Sequence, residues 1–134
     1  KGPATVRLSQ MALGRTRGSA TFPALAAGEE VGEVCSEGTC DARQFEGRFE
    51  KEPRFEEVRV ETLDGIITEK VDYLSLDVEG SETEILESFP FAEVPVTALS
   101  VENTYGIAGI GAVLARHGYR RAATIGVDEI YLAS

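Results

Sequence analysis

Val71-Asp-Tyr-Leu-Ser-Leu-Asp-Val-Glu-Gly-Ser-Glu-Thr-Glu-Ile-Leu-Glu-Ser-Phe89 decides how this chain is read. Leu74, Leu76 and Val78 fall at alternate positions, the period of a strand, with Asp77 and Glu79 facing the other way. Gly80 allows a tight turn, and Ser81 and Glu84 have the S-x-x-E spacing of a capping box. Ile85, Leu86 and Phe89 then share one helical face. An apolar strand that turns acidic at its carboxyl end and passes into a helix is the junction at which α/β enzymes hold their chemistry. Carboxylates in mid-strand would be buried at a cost of several kcal/mol, so Asp77 and Glu79 are expected at the mouth of a crevice.

The pattern continues on both sides. Downstream, Pro95 to Val101 forms an apolar strand ending in Glu102-Asn103-Thr104. A helix follows with Ile107, Ile110, Val113 and Leu114 on one stripe, stopped by Gly118. Tyr119 to Ile125 and Asp128 to Leu132 read as two strands around a Gly126 turn, too short a link for anything but an antiparallel pair. Upstream, Ala4 to Gly14 and Gly18 to Phe22 read as strands, as does Phe55 to Val60, and Thr62-Leu-Asp-Gly-Ile-Ile opens a short helix. Residues 23–54 have no clear period and are expected to be a loop insertion. Strands alternating with helices predict an α/β fold with a mostly parallel sheet, right-handed crossovers and a terminal antiparallel strand pair.

Composition narrows the function. A chain of 134 residues supports one domain with one core. A formal charge of −10 with no basic cluster repels phosphate backbones and anionic membranes, which argues against nucleic-acid partners. No apolar run reaches the roughly 20 residues a membrane helix needs. Cys35 and Cys40, spaced C-x4-C without a nearby histidine, are too few ligands for zinc; a local disulfide and two idle thiols stay open, and with them the compartment.

Taken in order, Val60-Glu-Thr-Leu-Asp64, Val71 to Glu82 with its D-x-E-G-x-E signature at Asp77, Glu79, Gly80 and Glu82, Ser100-Val-Glu-Asn103, His117-Gly-Tyr119 and Asp128-Glu-Ile-Tyr131 resemble the FkbM-type methyltransferases. The resemblance covers roughly residues 58 to 132, with a further likeness from Ala12 to Phe22. It implies a Rossmann-like fold that binds S-adenosylmethionine and methylates an oxygen of a small molecule or sugar. Their places at the ends of neighbouring strands make Asp77, Glu79 and Glu102 candidates for the reaction site and Asn103 one for the acceptor. Asp77 could instead accept amides of the following turn, and Tyr105 either lines the acceptor pocket or packs on a helix. Such enzymes open with a strand, a glycine-rich turn and a ribose-holding acid, none of which is evident here. Residues 1–134 are therefore expected to form a single, partial domain, the cofactor-distal half, in which the Asp77 strand becomes a sheet edge. The alternative is a non-catalytic relative whose sheet serves as an interaction surface.

Other residues have plainer readings. Glu82 suits a helix start electrostatically. His117, the only histidine, sits at a helix end, where a structural role suffices. Asp77, Glu102 and Asn103 could converge on Mg2+ as in catechol-type methyltransferases, a likeness of position alone, and no residue is assigned as a metal ligand. Gly106-Ile-Ala-Gly109-Ile-Gly111 imitates a dinucleotide turn with the wrong spacing.

Overall fold

The computed structural model of the protein describes residues 5–24 and 54–134. Seven strands and three helices follow one another as β1 (Ala12–Leu13), β2 (Gly18–Ala24), β3 (Arg54–Glu61), α1 (Leu63–Ile66), β4 (Val71–Leu76), α2 (Glu82–Ser88), β5 (Val96–Glu102), α3 (Gly109–Arg116), β6 (Tyr119–Ile125) and β7 (Asp128–Ala133). The α/β class holds. The strands, however, divide into two mixed sheets, ordered β1-β3-β2 and β4-β5-β7-β6. Only β1 with β3 and β4 with β5 run parallel; the remaining pairs are antiparallel, so a mostly parallel arrangement is not what the described residues form.

Two early expectations need correction. The strand expected from Ala4 to Gly14 shrinks to Ala12–Leu13. Val6 and Leu8 stand 78% and 92% exposed, so their alternation meets no covering layer among the described residues. The expected insertion also loses its ends, because Pro23 and Ala24 pair with Phe55 and Arg54 in an antiparallel ladder. The rest of it, with Cys35 and Cys40, lies outside the described residues.

The second sheet positions the site. The register sets Leu74 beside Leu99 and Leu76 beside Val101, and Tyr131 opposite Leu99, so one face presents a continuous apolar surface. Ile85 and Leu86 of α2 and Ile110, Val113 and Leu114 of α3 join it in a core where each is at most 2% exposed. On β4, Tyr73 and Ser75 turn the other way and are exposed. At the start of β5, the Tyr119 hydroxyl donates to the Val96 carbonyl (2.7 Å) and accepts from the Val96 amide (3.3 Å). The terminal antiparallel pair forms as expected around Gly126 (φ 64°). Within it β7 inserts between β5 and β6, and β4 is left at the sheet's edge among the described residues.

Candidate functional site

β4 ends at Leu76, and Asp77 is the first residue beyond it, exposed at the carboxyl end of the strand. The chain then reverses through Glu79 (φ 55°) and Gly80 (φ 111°). Glu79 is the one non-glycine residue with positive φ among the described residues, a conformation that crowds an L side chain against its own carbonyl. The expected capping box does not form, for the Ser81 side chain makes no cap hydrogen bond. Glu82, only 2% exposed, reaches back instead. Its Oε1 accepts from the Val78 amide (3.0 Å) and the Gly80 amide (3.2 Å), and its Oε2 accepts from Gly80 (3.0 Å).

Glu102 closes β5, the parallel neighbour of β4, and so comes level with Asp77. Carboxylate oxygens of Asp77, Glu82 and Glu102 lie within 4.8 Å of one another. The Thr104 hydroxyl bonds to Glu102 Oε1 (2.8 Å) and is the strongest single influence, drawing its proton affinity down. Desolvation, a hydrogen bond with Asp77 and the charges of Asp77 and Glu79 together outweigh it, and Glu102 holds its proton above the usual carboxylate range. A carboxylate shifted in that direction is a better proton acceptor for a hydroxyl than an unshifted one. A cation would find fewer free oxygens than the count of carboxylates suggests, since both Glu82 oxygens already hold amides. Tyr105 lies over the turn: a Cβ on Gly80 would stand 3.7 Å from its ring.

Asn103 faces a different hollow. Its Oδ1 accepts from the Ile107 amide (2.6 Å), and its Nδ2 donates to the Ile107 carbonyl (3.3 Å) and to Glu129 Oε1 (3.2 Å). Arg121 donates to the same Glu129 oxygen (3.0 Å), and the Tyr131 hydroxyl donates to Oε2. These groups line an open groove of about 630 Å³ between α3 and the β6–β7 pair. Burial works to raise Glu129, but the hydrogen bonds from Tyr131 and Asn103 and the charge of Arg121 prevail and hold it low. Burial, reinforced by Glu129, pushes the Tyr131 hydroxyl up. His117 is outside both places; it is exposed, with its ring 4.9 Å from that of Phe91.

Among known protein families, the methyltransferase FkbM domain matches residues 3–121, nearly the whole chain. The chain belongs to the FkbM methyltransferase family. No curated protein and no solved structure matches it.

In this FkbM methyltransferase domain, the structure brings Asp77, Glu79 and Glu102 together with Glu82, sets Tyr105 beside them, and commits Asn103's amide to the Glu129 groove. The glycines of the misleading turn serve packing. A Cβ on Gly109 would stand 3.2 Å from Thr83, one on Gly111 would stand 3.3 Å from the Tyr131 hydroxyl, and Gly106 supplies a positive φ of 64°. The described residues thus furnish an acidic face at the carboxyl ends of β4 and β5. Two features escaped the sequence. Glu129 and Tyr131 alternate on β7, which hints at a shared face, but Arg121 reaches them only through the β6–β7 register. Glu82's backward reach had no signal beyond its place two residues after Gly80.

Proposed function

We propose that this chain carries the acceptor side of an S-adenosylmethionine-dependent methyltransferase that methylates an oxygen of a small molecule or sugar. In this reading residues 1–134 form one partial domain, and the β4-β5-β7-β6 sheet is the distal part of a Rossmann-like layer. The observation that carries it is the Asp77–Glu102 pair at the carboxyl ends of two adjacent parallel strands, in a member of a methyltransferase family. Methyl transfer is an in-line displacement, in which the new C–O bond would form as the donor's S–CH3 bond breaks and its thioether leaves. The protein therefore contributes orientation and, for a hydroxyl acceptor, removal of the proton. Asp77 and Glu102 take that proton. Glu79 adds negative charge beside them and Tyr105 contacts the acceptor, while Asn103, its amide spent on Ile107 and Glu129, holds the loop that follows β5. The surrounding negative charge favours a neutral or cationic acceptor over an anionic one.

The test is transfer of labelled methyl groups by the product of the complete reading frame, with D77N and E102Q as variants. Loss of about a hundredfold or more in kcat, the low end of what a proton-accepting group contributes, supports the assignment. Undiminished turnover in both variants refutes it. The 134 residues by themselves are expected to bind S-adenosylmethionine weakly, and a low-micromolar Kd by calorimetry would contradict that. The edge position of β4 favours one second reading, a non-catalytic relative that uses its sheet as an interaction surface. Absence of any transfer by the complete product would favour that reading.

A further inference from the structure

Three costs fall on four residues. Glu79 sits at φ 55°, Glu82 buries a carboxylate to 2% exposure, and that carboxylate lies within 4.8 Å of oxygens on Asp77 and Glu102. Each opposes folding: a left-handed L-residue is strained, a buried charge loses its hydration, and like charges repel. A helix-dipole partner would need none of them. It could stay in solvent, as Glu84 does in the same first turn.

The hydrogen bonds show what is gained. The Val78 amide belongs to the peptide that joins Asp77 to Val78, and the Gly80 amide to the peptide that joins Glu79 to Gly80. Glu82 grips both, with three contacts of 3.0 to 3.2 Å. Two peptide planes are thereby fixed, one directly after Asp77 and one directly after Glu79. We propose that Glu82 is a positioning residue: its buried carboxylate locks the turn after β4 and so sets Asp77 against Glu102. This rests on reading Asp77 and Glu102 as the proton-accepting pair. It gives Glu82 a role apart from theirs, because its own oxygens are spent on main-chain amides.

The geometry separates reach from charge. E82D keeps the charge but is one methylene too short to span the turn, whereas E82Q keeps the length and one acceptor oxygen. The experiment is NMR on the protein, reading amide exchange at Val78 and Gly80 and the titration of the Glu102 side-chain carboxyl. E82D is expected to speed exchange at both amides about tenfold or more, with Leu99 and Val101 of β5 unaffected. It is also expected to move the Glu102 midpoint by about half a pH unit or more toward the ordinary carboxylate value, as Asp77 swings away. E82Q is expected to speed exchange at Gly80 more than at Val78, since an amide nitrogen would then face the Gly80 N–H. If E82D leaves the Glu102 titration at the parent value, Glu82 does not position the pair and the proposal fails. If E82D behaves as expected while D77N and E102Q retain full methyl transfer, the positioning stands and the proton-accepting role falls. Should E82D not fold, parent-like exchange at Gly80 in E82Q overturns the proposal by itself.

Discussion

Replacing Glu79 by glycine should make this protein more stable while damaging its site. At φ 55° Glu79 has a left-handed backbone, which costs an L-residue about 1–2 kcal/mol. Glycine removes that cost but returns about 0.5–1 kcal/mol through its greater freedom in the unfolded chain. Taking the centres of the two ranges, the balance is about 0.75 kcal/mol in favour of E79G, and loss of a charge that acts on Glu102 adds to it in the same direction. For 134 residues, with about 2.1 cal/mol/K per residue of unfolding entropy, the expected rise in Tm is about 2–4 °C. The assay is thermal melting paired with urea titration, with the m-value checked for constancy. E79A is the control, since alanine loses the same charge but keeps the strained φ. A larger stabilisation by glycine than by alanine isolates the backbone term. A fall in Tm for E79G, or an equal rise for E79A, would refute the argument that the turn is held against its own preference.

Y119F removes a buried hydroxyl that serves both the amide and the carbonyl of Val96, so urea unfolding should show a loss of about 1–3 kcal/mol, and a loss near zero would mean that water replaces the phenol. Glu61 is held below its ordinary value of 4.5 by the Thr62 amide first, then by Arg59 and Arg17. A depressed carboxyl stabilises the fold above that ordinary value and loses the contribution as pH falls through the folded one, so the stability gap between the parent and E61Q should be full near neutrality and close on acidification. A gap that stays constant across that range would remove the ionic account.

Much of the fold was legible because it depends on local periodicity. The alternation of Leu74 and Leu76, the Ile85–Leu86 stripe and the Gly126 turn each specify an element within a few residues. The reading failed where a pattern needed a distant partner. Val6 and Leu8 alternate like a strand but meet no covering layer among the described residues, and Ser81 had the spacing of a cap while Glu82 took the amides. The site was half legible: an acidic residue just past a strand end predicts a crevice, but not which carboxylate beside it is spent on the main chain.

The sequence alone determined that apolar strands here end in carboxylates, that helices follow two of them, and that the last two strands fold back on each other. These properties are set by side-chain period and turn chemistry over short stretches. Tertiary structure alone set the register of β4 on β5 that brings Asp77 and Glu102, 25 positions apart and expected to converge, level in one environment. It also decided that β7 enters between β5 and β6 and that Glu82 turns inward. Strand order and the direction of a buried side chain depend on which surfaces exclude water together, and that is a property of the assembled core.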